Sequence, residues 1–248
     1  MANNQTVRRS GAATLGAEID AGLRAHMNKV YGLMSVAMIV TGLVAFAVGS
    51  SDALLSIFRD PYTLKPNILG WVVMFAPLGM IFLMGSAVNR MSQAGAQLFF
   101  YAFAAVMGLS ISWIFAMYTD VSIATTFLVT SIAFASLSLY GYTTKKDISA
   151  WGSFLIMGVV GLIVAMVINI FLQSAALDFA VSALGVLIFA GLTAYDTQKI
   201  KTMYIQAVQQ GGDAAAMTGK MAIFGALNLY MDFINLFMFL LSFLGNRE

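Results

Sequence analysis

Seven apolar runs, each about twenty residues long, alternate with shorter polar stretches along this chain. They fall roughly at 30–50, 67–89, 96–118, 121–143, 151–173, 178–199 and 221–244. About 20 apolar residues wound as a helix are what it takes to cross the hydrocarbon of a bilayer. The pattern therefore predicts an all-α integral membrane protein, a seven-transmembrane-helix bundle. Its single transmembrane domain covers 30–248, and a polar cytoplasmic tail covers 1–29. The connections are short, except for the outer loop after the first run and an inner loop at 200–220. In that inner loop Gly211-Gly212 is the expected hinge. Pro77 lies inside the second run and is expected to kink it, since it removes a backbone donor and crowds the preceding turn. Ala104, Gly108 and Ser112 recur every fourth residue on the third run, a small-residue stripe that lets helices approach closely.

Composition excludes a soluble protein. With 60% hydrophobic and 10% charged residues, the chain carries more apolar surface than one soluble core can hide. A net charge of +2 is too small to suggest nucleic acid as a partner, and the basic residues are scattered between the runs. Their distribution speaks of topology instead. Arg8, Arg9, Arg24, Lys29, Arg90, Lys145, Lys146, Lys199, Lys201 and Lys220 fall on one side of seven crossings, while Arg59, Lys65 and Arg247 fall on the other. That bias predicts a cytoplasmic amino terminus and an outside carboxyl terminus. The first apolar run starts too late for an ordinary secretory signal, and no cleavage is expected. The absence of cysteine excludes disulfides, thiolate metal sites and cysteine nucleophiles.

Polar residues inside the runs carry the candidate chemistry. Asp232 stands alone near the middle of the last run, where an ionisable group costs roughly 2.5 kcal/mol or more and reads as functional by default. Asn228, Asp232 and Asn235 are spaced by four and three residues, so they share one helix face. Asn alone suits an interhelical seam; a carboxylate titrates and couples that seam to pH. Asp196 closes the preceding run. Only 17 residues, Phe179 to Tyr195, separate it from Asp178, so the helix must continue to Lys199 or Lys201 for a comfortable span, which submerges Asp196 by about a turn. There it faces the carbonyl end of a helix, an unfavourable place for a carboxylate that calls for a compensating partner. Arg90, at the inner end of the second run, serves as a topology anchor if alone and as a latch if it bonds Asp196 or Asp232. A cluster of this kind titrates as a unit.

The segments 141-GYTTKKD-147, 194-AYDTQKI-200 and 229-LYMDFINLF-237 resemble the signature stretches of the Bax inhibitor-1 family, including its bacterial YccA-like members. The resemblance runs from about 24 to 245. It implies a central last helix wrapped by two groups of three helices, and residence in a bacterial inner membrane. It also implies a pH-sensitive calcium leak gated by Asp196 and Asp232, with Arg90 as the latch. Asn228 and Asn235 would then flank the ion path, with Asp196 and Asp232 as transient calcium ligands. No resident cofactor is expected; calcium or protons are the transported ions. A non-conducting regulator of a membrane protease or of stress survival needs the same bundle and stands as the alternative.

An intramembrane aspartyl protease is a more distant alternative. Tyr195-Asp196 fits its first motif. The second motif, Gly-x-Gly-Asp, is replaced here by Leu229-Tyr230-Met231-Asp232, and no proline follows Pro77. His26, the one histidine, lies outside the runs and is expected to be a solvated loop residue rather than a base. No phosphate loop or metal-binding helix motif occurs, and the chain is read as a non-enzyme.

Overall fold

A computed structural model of the protein describes residues 2–60, 62, 63, 65–87, 90–210 and 214–246; for 2–17, 86, 87 and 214–218 it describes the backbone alone. Every predicted run becomes a long helix. They are α1 (Ala2–Gly49), α3 (Ile68–Ala87), α4 (Gln93–Ile111), α5 (Asp120–Thr143), α6 (Ser149–Leu172), α7 (Ala175–Gln209) and α8 (Ala214–Leu244). A single turn, α2 (Asp52–Leu55), follows α1, and a 3-10 turn, Ser112–Ala116, extends α4. Among the described residues, seven segments are long and apolar enough to cross a membrane, from Glu18–Gly49 to Gly219–Leu244. The helices start where side chains satisfy free backbone donors: Ser92, Thr119 and Ser174 accept from Gly95, Ser122 and Leu177 at the amino ends of α4, α5 and α7. Asp120 and Asp178 add favourable charge in the first turns of α5 and α7.

Two boundaries differ from the sequence expectation. The polar stretch before residue 30 does not form a separate tail, because α1 runs through it unbroken and Leu23, His26 and Met27 are buried. Leu23, Met27, Val30, Met34 and Ala37 recur at intervals of four and three, so one stripe of α1 faces the core while Arg24 and Lys29 stay outside. Average polarity concealed that stripe. The inner loop is likewise shorter than 200–220, since α7 continues to Gln209 with Ile200 and Tyr204 buried. Gly211-Gly212 lies outside the described residues. Pro77 sits within α3, whose helix continues on both sides of it.

α8 is the enclosed element: 56% of its membrane segment is buried, against 11% for the peripheral α6. It packs on α1, α4, α5 and α7. The remaining long helices fall into two groups, α1 with α3 and α4, and α5 with α6 and α7. The small-residue stripe of α4 faces α1, where a methyl group on Gly108 would come within 2.6 Å of the Thr41 carbonyl oxygen. Two backbones in such proximity leave room for glycine alone.

Candidate functional site

The three signature segments abut one another. Gly141 on α5 lies so near the Ala194 carbonyl of α7 that a Cβ there would overlap it. Just beyond, Gln198 on α7 clamps the α5–α6 connection with both ends of its amide: Nε2 donates to the Lys146 carbonyl at 2.8 Å, and Oε1 accepts from the Ile148 N–H at 3.0 Å. The Lys201 ammonium donates to the Tyr142 carbonyl at 2.8 Å and lies 5.5 Å from the Tyr142 ring centre. In the third segment, Tyr230 is completely buried and holds α8 to α1 through Thr41, whose hydroxyl reaches the Ala104 carbonyl of α4 at 2.8 Å. Phe100 and Phe103 meet the Tyr230 ring edge to face.

Two residues after Tyr230, and therefore on the opposite side of the helix, Asp232 points toward α7. Its carboxyl group lies within hydrogen-bonding reach of that of Asp196. Such a bond requires a proton on one of the two groups, because ionised carboxylates only accept. Asp232 is buried and its Oδ2 has no hydrogen-bond partner, while Asp196 is half-buried. The cation whose charge acts on both is Lys199, one turn along α7 from Asp196.

The other candidates take different places. Arg90 is exposed in a turn after α3, and among the described residues no hydrogen bond or ion pair joins it to Asp196 or Asp232. The latch expected from it is not formed in this structure; the cation beside the pair is Lys199, three residues from Asp196 on the same helix. Asn235 is half-buried and spends one amide hydrogen on the Met231 carbonyl at 2.8 Å. Asn228 lines a cavity of about 230 Å³ with His26, Lys199, Ile200, Met203 and Met221. Among the described residues, no three His, Cys, Asp or Glu side chains come together that would hold a metal ion.

Several neighbours went unnoticed in the sequence. Tyr31, Ser138 and Thr197 join α1, α5 and α7 through hydroxyl contacts of 2.6 and 2.9 Å, ending one residue from Asp196. Thr193 and Thr197 are fully buried and return their hydroxyls to carbonyls of their own helix. These hydroxyls gave no signal because Ser and Thr are unremarkable in apolar helices. His26 is a correction: it is 5% exposed and stacks on Tyr204 with ring centres 4.8 Å apart, not solvated in a loop.

Comparison with known proteins agrees with the motif placement. Residues 23–248 match the family model described as inhibitor of apoptosis-promoting Bax1. An uncharacterised protein of Caulobacter vibrioides is 46% identical over 93% of this chain and 92% of its own length. One from Rickettsia prowazekii is 42% identical, covering 92% of each chain. The inner membrane protein YbhL of Escherichia coli is 40% identical over 92% of this chain and 94% of its own. The protein is thus an integral membrane protein, and it belongs to the Bax1-inhibitor family.

Proposed function

We propose that the protein is a pH-sensitive calcium leak of the bacterial inner membrane, with Asp196 and Asp232 as its gate and its amino terminus in the cytoplasm. The observation that carries this reading is the burial of Asp232 in the central helix, facing Asp196 of α7. One helical turn from Asp232, Asn228 lines a cavity of about 230 Å³.

The chemistry suits slow passage. Calcium takes oxygen ligands and fills six to eight positions. Two carboxyl groups and the neighbouring Asn228 amide supply few of them, so binding stays weak, which is what conduction requires. In the proposed gate, a proton shared between the carboxyl groups ties α7 to α8, and its loss or gain resets both the tie and the charge a cation meets. Lys199 biases the same equilibrium through its charge.

Calcium flux from purified protein in liposomes tests the reading. The native protein releases calcium with a rate that depends on pH. Asp196→Asn and Asp232→Asn each flatten that dependence while the protein still inserts, and Asp232→Asn lowers conduction more because its carboxyl group is deeper. Flux and pH dependence unchanged in both variants would reduce the pair to packing.

A further inference from the structure

Two buried side-chain atoms among the described residues lack a hydrogen-bond partner, Oδ2 of Asp232 and Nε2 of His26. A buried polar atom without a partner costs about 1–3 kcal/mol, and such atoms nearly always find protein or water. His26 lines the cavity of about 230 Å³ together with Lys199 and Asn228. At about 30 Å³ per molecule that space holds several waters, and three polar side chains supply the partners that water needs there. Asn228 precedes Asp232 by one helical turn, and Lys199 follows Asp196 by one turn, so two residues of the cavity lie one turn from the carboxylate pair.

We infer that this cavity between α1, α7 and α8 is a hydrated proton-exchange site, in which His26 passes protons between the adjacent solution and the Asp196–Asp232 pair. The inference rests on the proposed role of that pair. Imidazole suits the task because both of its protonation states are accessible near neutral pH and it has two nitrogens to use. In the forward step Nε2 takes a proton from hydronium in the cavity, leaving water. The imidazolium then returns a proton through water to an ionised carboxylate oxygen of the pair. One N–H bond forms and breaks, one O–H bond forms on the carboxyl group, and one positive charge has moved inward.

The charged and titratable surroundings are few. On α1, Lys29 acts on the imidazole through its charge. α7 brings the Lys199 ammonium and the Tyr204 phenol, on which the imidazole stacks. α8 brings the neutral Asn228, with Asp232 one turn beyond. Stacking on Tyr204 fixes the ring plane, so Nε2 keeps its direction whether or not it is protonated.

Since His26 is the one histidine, ¹⁵N-histidine labelling of the full chain in lipid nanodiscs, purified without a histidine tag, yields one imidazole signal set. It should titrate and exchange with water. In the double variant Asp196→Asn, Asp232→Asn the midpoint should fall, since the negative charge that favours imidazolium is gone. Lys199→Gln should move it in the opposite sense, and Asp178→Asn, at the far end of α7, should leave it in place. An imidazole that does not titrate, does not exchange with water, or titrates alike in all four proteins would overturn the inference. The signal reads protonation and not ion passage, so coupling found without any calcium flux would uphold the proton site and remove the leak.

Discussion

The hydroxyl groups of Tyr230 and Thr41 lie 2.7 Å apart in the centre of the bundle. The one hydroxyl hydrogen of Thr41 goes to the Ala104 carbonyl, so Tyr230 donates to Thr41 and three helices are joined in sequence. Two residues on, Asp232 lies on the other side of α8 and faces Asp196 of α7. The central helix thus turns polar groups toward both sets of helices that surround it.

The direction of those bonds makes the two ends unequal. Tyr230→Phe removes one donor and leaves Thr41 bonded to Ala104, a loss of about 1 kcal/mol. Thr41→Val strands the buried Tyr230 hydroxyl, while the Ala104 carbonyl keeps its helical bond from Gly108, a loss of about 2 kcal/mol. Thermal unfolding in detergent should rank Thr41→Val below Tyr230→Phe; the reverse order would contradict the bond direction.

Gly141→Ala places a methyl group against the Ala194 carbonyl, and backbone cannot rotate away as a side chain does. Separating α5 from α7 costs about 1–3 kcal/mol by the usual measure of overpacking. The separation also strains the Gln198 clamp on residues 146 and 148. Hydrogen exchange at Ile148 should accelerate in Gly141→Ala, and more so in Gln198→Ala, which deletes the acceptor outright.

Lys199 and Arg90 are expected to differ in effect on the gate. Lys199→Gln removes the cation that acts on both carboxyl groups and should shift the pH dependence of calcium release. Arg90→Ala removes an exposed charge with no bond to the pair and should shift it less. Equal shifts in liposome flux would mean that Arg90 reaches the pair in another conformation.

Orientation is testable because the chain has no cysteine of its own. Tyr62→Cys, at a site 94% exposed in the loop after α2, should react with a membrane-impermeant thiol reagent on intact cells. Gln210→Cys, just past α7, should react only after permeabilisation. Labelling of Gln210→Cys in intact cells would invert the proposed topology.

The loop after α2 carries its own pH dependence. The Asp60 carboxylate accepts from the Thr63 and Tyr62 backbone and from the Thr63 hydroxyl, bonds that hold it below its ordinary value of 3.8. A lowered carboxylate contributes order that is full above the unfolded value and is lost as pH falls through the folded one. Amide protection at Thr63 should therefore drop in strong acid. Asp60→Asn, which keeps an acceptor oxygen but does not titrate, should abolish that drop.

Much of this molecule was legible along the chain because helix length and hydrophobicity are local quantities. Seven runs of spanning length required seven helices, and motif spacing put Asn228, Asp232 and Asn235 on one side of α8 whatever that side faced. The start of the packed part of α1 was harder to read, since its buried stripe is narrow and flanked by charge.

Which partner each polar group meets is another kind of question. Asp196 stood out by its depth, and Lys199, three residues on, was legible as its neighbour on the helix; that Arg90 stays away from the pair was not. His26 looked solvated because its sequence neighbours are polar, whereas Tyr204, 178 positions away, covers it. By itself the sequence determined the class, the number of spans and the residues able to titrate, all of which follow from single-residue chemistry and helical period. Only the tertiary structure decided that α8 is enclosed, that Asp196 meets Asp232, and that His26 shares a cavity with Lys199 and Asn228, because helices distant in sequence become neighbours only through packing.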